Sequence, residues 1–230
     1  LQKKRSHADT TDLMVQVNGI VSSYVKIADS SMVREEPKRW DISTIDFGLL
    51  QKEFARVKNR HLMLKDMDDL IQKKLASMML NNPKRIDYYE QYQKIIDAYN
   101  SEQDRATIEK TFMDLMDLAN SMNQEAKRYV REGFSSDEEL SLYDLLFKDN
   151  LSKNDIRQLK KVAVDLLQNI KSKIAELDHW TDKQETKAAV DNLIRDTLWK
   201  ELPESYDEVS ISHYRQQIYE YVYTRYASVA

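Results

Sequence analysis

The sequence contains no cysteine, and only three glycines and three prolines among its 230 residues. Without cysteine the chain has neither a disulfide nor a thiolate metal site, which fits a reducing compartment and predicts a cytoplasmic protein. A β-sandwich needs frequent turns, so the scarcity of glycine and proline argues against that class. No apolar run approaches the ~20 residues of a membrane span, and no membrane partner is expected.

Charged residues are abundant instead, at 32% of the chain, and with so few helix breakers they favour long helices. The formal net charge is −4. Because a domain that mainly grips nucleic acid is usually basic overall, any DNA contact is expected to come from a local basic stripe. The chain opens on leucine rather than methionine, which predicts a fragment of a longer protein.

The clearest pattern lies between residues 81 and 134. Asn82 before Pro83 is typical of a helix N-cap followed by proline at the first helical position, and it predicts a helix over residues 83–99 with a turn at Asn100 and Ser101. In the next helix, apolar residues alternate steps of four and three: Ile108, Phe112, Leu115, Ala119, Met122, Ala126 and Tyr129. This heptad spacing predicts a stripe that faces a partner helix, and Gly133 is expected to end the second helix.

Before this hairpin, apolar residues keep heptad phase from Leu50 to Met78, after a predicted cap at Thr44. His61 and Asp68 interrupt the stripe, which predicts a break within residues 59–65 and therefore two helices. Residues 1–44 fit a helical stripe followed by a loop, and we interpret them as a linker or N-terminal helical segment.

After Gly133, capping signals predict three more helices. The first helix has Ser135 as its expected N-cap, with Glu138 at the capping-box position three residues later. The second is capped by Ser152. The third has Thr181 as its expected N-cap, with Gln184 at the capping-box position. The tail from Ser212 alternates like a strand, but Ile211, Ile218 and Val222 suit a helix and no partner strand exists, so we predict a helix. The expected fold is all-α, an irregular bundle of about seven to nine helices with long antiparallel hairpins.

We recognise no nucleotide-binding, nuclease or metal-binding motif in this sequence. Three scattered glycines cannot form a phosphate-binding loop. The acids at residues 137–139 fall in a predicted first helical turn, where carboxylates favour the positive end of the dipole. Glu185 and Lys187 imitate a nuclease element, but residues two apart on a helix diverge. His61 and His179 have no second histidine at ligand spacing. We therefore predict no catalytic, metal or cofactor-binding residue.

Basic and aromatic residues are the remaining candidates for binding. The candidate phosphate contacts form three groups: Arg56, Lys58 and Arg60; Lys84 and Arg85; and, on one helix face, Lys153, Arg157, Lys160 and Lys161. An ordinary solvated face is the alternative, and the sequence alone favours it. Trp180, Tyr219 and Tyr223 either pack internally or present an aromatic anchor to a protein partner.

Five segments carry a resemblance to a known family: NNPKRIDYYEQYQKIIDAYN, DRATIEKTF, SDEELSLYDLL, LDHWTDKQETKAAV and LWKELPESYDE. In this order they resemble the C-terminal helical region of the restriction (motor) subunit of type I restriction–modification enzymes. The resemblance runs from about residue 45 to the C-terminus, and it assigns residues 45–230 to a C-terminal helical domain. All five segments are packing or turn motifs rather than catalytic ones.

The resemblance implies a parent subunit that uses ATP and Mg²⁺, translocates double-stranded DNA and cuts it. In that family the nuclease and helicase motifs belong to N-terminal regions that this sequence lacks, so no catalytic residue is transferred. The resemblance also implies that the region docks the motor subunit onto the methyltransferase and specificity subunits. The alternative is a DNA-binding module that contacts the translocated duplex through a basic helix face.

Overall fold

A computed structural model describes residues 46–56, 60–102 and 104–227. Within these ranges the chain forms nine α-helices and one short 3-10 helix, and no strand, which confirms the all-α prediction. The described residues divide into two compact units, residues 46–128 and 129–227, each with its own apolar core. The predicted cap at Thr44 and the segment 1–44 lie outside the described residues.

The first unit contains four long helices and the 3-10 helix. In chain order these are α1 (Phe47–Arg56), α2 (Arg60–Asn81), the 3-10 helix (Pro83–Arg85), α3 (Ile86–Ser101) and α4 (Arg105–Glu125). Residues 60–65 of the predicted break window are helical, and Asn59 lies outside the described residues, so the break stays a prediction. The heptad stripe of α4 is buried as predicted from Ile108 to Met122, and it packs with Ile71, Leu75 and Met79 of α2.

The stripe of α4 does not continue to Tyr129, contrary to the sequence prediction. The helix ends at Glu125, and a separate four-residue helix, α5 (Arg128–Arg131), carries the chain across the boundary between the units. Tyr129 packs against the core of the second unit, and its carbonyl accepts a hydrogen bond from the Phe134 N–H at 2.9 Å. Gly133 closes this turn with a φ of +81°, the left-handed region that glycine tolerates best. A heptad pattern reports apolar spacing but not which core each residue joins.

The second unit contains α6 (Asp137–Leu146), α7 (Lys153–Ala175), α8 (Gln184–Glu201) and α9 (Glu208–Tyr226). Its core includes five apolar residues of α7: Leu159, Ala163, Leu166, Ile170 and Ile174. Ile211, Ile218 and Val222 are buried on α9, so the helical interpretation of the tail is confirmed. None of the helices in the described ranges has the length and apolar character needed to cross a membrane.

The predicted caps of the first hairpin and of α7 are confirmed. Asn82 Oδ1 accepts from the Lys84 N–H at 3.1 Å, although it caps the 3-10 helix and α3 extends to Ser101. Ser152 and Asp155 form a reciprocal capping box, with both hydrogen bonds at 3.1 Å.

Two other predicted caps are wrong. Ser136 rather than Ser135 caps α6, because the Glu139 N–H donates to Ser136 Oγ at 3.3 Å. Thr181 does not cap α8, which begins at Gln184 without a side-chain cap. Two residues of irregular chain, Asp182 and Lys183, separate Thr181 from the helix, and Thr186 donates instead to the Trp180 carbonyl at 2.7 Å. In both cases the helix begins later in the chain than the capping rule predicted, and residue spacing alone does not reveal the shift.

Candidate interaction surfaces

Of the four basic residues predicted to share one face of α7, three are exposed together in the structure. Lys153, Arg157 and Lys161 are exposed at intervals of four residues and therefore share one side of the helix. Lys160 turns away from them, with its Nζ 2.9 Å from Glu132 Oε2 and 5.5 Å from the centroid of the Phe134 ring. We call the three exposed residues the α7 stripe.

Neighbouring acids modify the potential along the α7 stripe. Lys161 borders an open depression that it shares with Asp165 and Glu201, whose carboxylates reduce the local positive potential. Lys153 begins the helix, where the N-terminal dipole adds positive potential. The stripe therefore favours anions most at its Lys153 end.

The described basic candidates of the first unit differ in exposure and in partners. Arg56 and Lys84 are exposed, whereas Lys58 lies outside the described residues. Arg60 Nη1 is 2.5 Å from Glu109 Oε1, and its guanidinium carbon lies 5.5 Å from the centroid of the Phe54 ring. Arg85 is only 4% exposed, with its Nε 3.1 Å from Glu125 Oε1. The Arg85 guanidinium thus faces a buried carboxylate instead of the solvent.

The aromatic candidates form a cluster inside the second unit. Trp180 is fully buried, and its Nε1–H donates to the Tyr226 carbonyl at 2.9 Å. The rings of Tyr219 and Tyr223 meet it edge to face, with centroids 6.4 Å and 5.7 Å away. Only Tyr223 is substantially exposed. Trp180 is therefore a core residue, and internal packing is the role that the structure gives it.

An exposed tryptophan that the sequence analysis passed over lies on α8. Trp199 is 60% exposed, beside Arg195 and Asp196, which pair with each other at 2.8 Å. The core-facing stripe of this helix runs through Val190, Ile194 and Leu198 at four-residue intervals. Because Trp199 stands one position past that stripe, the α8 periodicity could have shown that its side chain points away from the core.

A half-buried carboxylate lies between α2 and α3 in the first unit. Asp68 Oδ1 accepts from the Tyr92 hydroxyl at 2.6 Å, and Asp68 Oδ2 accepts from Gln72 Nε2 at 3.1 Å. Burial raises the pKa of Asp68 above its usual range, although both hydrogen bonds oppose that shift. This cluster is the polar interruption that the heptad pattern showed at position 68.

We expect Asp68→Asn to stabilise the first unit at pH 7, because it removes a charge that the fold disfavours. The raised pKa means that the folded chain binds a proton more readily than the unfolded chain. The contribution of Asp68 to the free energy of unfolding is therefore fully present below the pKa that Asp68 has in the unfolded chain. It is lost as the pH rises through the pKa that Asp68 has in the folded chain. Denaturant unfolding between pH 4 and 7 should show this loss in the wild type but not in the variant. Asp66→Asn, at an exposed position of the same helix, is the control, and a variant less stable at pH 7 would contradict the prediction.

Histidine and acidic side chains of the described residues form no group of three suited to a metal ion. His61 Nδ1 lies 2.8 Å from the Tyr99 hydroxyl, and His179 Nε2 lies 3.6 Å from Asp178 Oδ1. Both histidines thus have local partners within their own units.

Within the described ranges the chain is an all-α region. The model of one family matches residues 2–224, that of the type I restriction enzyme HindI endonuclease subunit-like proteins, C-terminal region. The chain belongs to this family. The match also includes residues 2–44, which the sequence analysis placed outside the resemblance. No curated protein and no solved structure matches the chain.

Proposed function

We propose that this chain is a non-catalytic docking region, which attaches the endonuclease subunit of a type I restriction enzyme to its methyltransferase and specificity subunits. Family membership supports the enzyme class. The observation that carries docking is the exposed Trp199 on α8.

Trp199 has the character of an interface anchor. Tryptophan is enriched among the few residues that dominate binding energy, because it buries a large apolar surface and loses few rotamers. The core of the second unit is filled by other residues of α8, so folding within this unit does not explain the indole. Arg195 and Asp196 beside it supply the polar rim that surrounds such anchors.

The test is assembly of the intact endonuclease subunit with the methyltransferase and specificity subunits. We expect Trp199→Ala to weaken binding by roughly 30-fold or more, the loss typical of an interface hot spot. Val209→Ala is the matched control, because Val209 is 78% exposed on α9 of the same unit. Circular dichroism should be unchanged for both variants. Wild-type affinity for Trp199→Ala would contradict docking through α8, and assembly that survives deletion of the whole region would contradict docking itself.

A second candidate function is contact with double-stranded DNA through the α7 stripe. Among the described residues, no carboxylate forms an ion pair with Lys153, Arg157 or Lys161. Cations without a carboxylate partner are available to phosphates, and each phosphate contact steepens the dependence of affinity on salt.

A salt series with a fluorescent duplex tests this second candidate. Glutamine at all three positions of the α7 stripe is expected to reduce the slope of log affinity against log salt by about 2 to 3. The control replaces Lys183, the N-cap residue of α8, together with Lys187 and Lys200 of that helix, and so removes the same charge from another part of the unit. Equal effects of the two triple variants would point to net charge alone, and no binding at low salt would leave docking as the working function.

A further inference from the structure

The first unit has a core rich in methionine. Seven of the nine methionines lie between residues 63 and 122, and none lies between 129 and 227. Five of the seven are buried: Met67, Met78, Met79, Met116 and Met122. Methionine is unbranched and flexible, so it fills irregular gaps and specifies a packing arrangement poorly. A core of this composition permits several arrangements of similar energy.

Within the same unit lies a buried ion pair. Arg85 and Glu125 are 4% and 8% exposed, and they are the only buried charged residues in the described ranges. Arg85 Nε is 3.1 Å from Glu125 Oε1, which also accepts from Arg128 Nη1 at 2.8 Å. Arg85 belongs to the corner between α2 and α3, whereas Glu125 ends α4. The pair therefore joins two points that lie forty residues apart in the chain.

Stability does not account for this pair. Removing two charges from water costs about as much as their attraction returns, and an apolar pair of similar volume is often equally stable or more stable. Glu125 also stands at a helix C-terminus, where the dipole disfavours a carboxylate. The hydrogen bond of an ion pair requires one particular partner in a defined geometry, whereas apolar contacts are non-directional and one can replace another.

We propose that the Arg85–Glu125 pair fixes the register of α4 against the α2–α3 corner, selecting one of the arrangements that the methionine-rich core allows. A slip of α4 by one turn, about 5.4 Å, would leave both charges buried and apart. Flexible methionine side chains would adapt to the same slip at small cost. The pair thus supplies the specificity that the apolar contacts lack.

Methionine methyl groups are the natural probes, since those of the described residues all lie in the first unit. The full chain is labelled with methyl-¹³C methionine and compared as wild type, Arg85→Leu, Glu125→Leu and the double variant. Arg85→Leu removes one cationic partner of the buried Glu125 carboxylate, which keeps Arg128, and Glu125→Leu removes a carboxylate partner of the buried Arg85. Each single variant should therefore lower the midpoint of thermal unfolding by on the order of 10 °C. The double variant should regain the wild-type midpoint or exceed it.

The decisive readout is the number and width of the methyl resonances from residues 63–122. In the wild type each methionine should give one sharp peak, whereas in the stable double variant the peaks should split or broaden because several arrangements coexist. Arg105→Leu with Glu109→Leu is the control, since it removes an exposed pair of the same unit together with the contact between Glu109 and Arg60, and its spectrum should stay sharp.

Three results would overturn the proposal. A stable double variant with one sharp peak per methionine would show that apolar packing alone fixes the register. Single variants as stable as the wild type would show that the pair is not closed in solution. A double variant less stable than either single variant would make the pair a source of stability rather than of specificity.

Discussion

Replacing Trp180 with alanine is expected to lower the free energy of unfolding of the second unit by about 3–5 kcal/mol. The indole is fully buried, so the substitution leaves a cavity in the core. It also removes the donor to the Tyr226 carbonyl and the edge contacts with Tyr219 and Tyr223. Denaturant unfolding followed by circular dichroism gives the overall loss, and amide hydrogen exchange shows where it occurs.

Two further variants serve as comparisons for Trp180→Ala. Trp180→Phe keeps an aromatic ring but lacks the N–H, so a smaller loss of about 1–3 kcal/mol is expected from the unsatisfied Tyr226 carbonyl and the missing volume. Trp199→Ala removes the same type of side chain from an exposed position and should change stability by less than about 0.5 kcal/mol. A Trp180→Ala loss no larger than that of Trp199→Ala would contradict the buried placement of Trp180.

Replacing Phe112 with alanine should destabilise the first unit by a similar amount, about 3–5 kcal/mol. Phe112 is 1% exposed on α4, and its ring stacks on Phe54 with centroids 3.7 Å apart and planes 6° from parallel. Among the described side chains of α1, Phe54 is the only one that is buried. Amides of α1 should therefore lose their protection from exchange first.

The neighbour Met113 provides the control for Phe112, because it is 39% exposed on the same helix. Met113→Ala should cost less than about 1 kcal/mol, mainly through the lost contact between its sulfur and Gln51.

The part of the chain in which each core variant raises amide exchange rates is equally informative. Phe112→Ala should raise exchange rates within residues 46–128 and Trp180→Ala within residues 129–227, because each residue belongs to its own core. Equal spread of either effect over both units would contradict the division into two cores.

Periodicity was sufficient to predict most of the fold. The heptad stripe of α4 could be read from apolar spacing, since burial of one helix face imposes that spacing directly. The end of α4 could not, because Ala126 and Tyr129 keep the apolar spacing although Tyr129 joins a different core. The cap of α6 at Ser136 and the start of α8 at Gln184 were missed by a few residues, because several serines, threonines and acids nearby satisfy the same rule.

The surface features were harder to predict than the helices. Arg85 and Lys160 have the residue type of a phosphate contact, but each faces a carboxylate brought from a distant segment, which no local pattern reveals. Trp180 and Trp199 are equally apolar in the sequence, yet one fills a core and the other faces solvent. For Trp199 the α8 periodicity did contain the answer, whereas Trp180 lies in a loop where periodicity is undefined.

The distribution of methionine also makes the two units chemically different towards oxidants. Peroxide converts the thioether of methionine into a polar sulfoxide, and the second unit has no such group between residues 129 and 227. In the first unit the exposed Met113 sulfur should react early, whereas a sulfoxide at the fully buried Met79 or Met122 would place a polar group in the core. Oxidative damage should therefore inactivate functions that depend on the first unit while the helices that carry Trp199 and the α7 stripe remain folded.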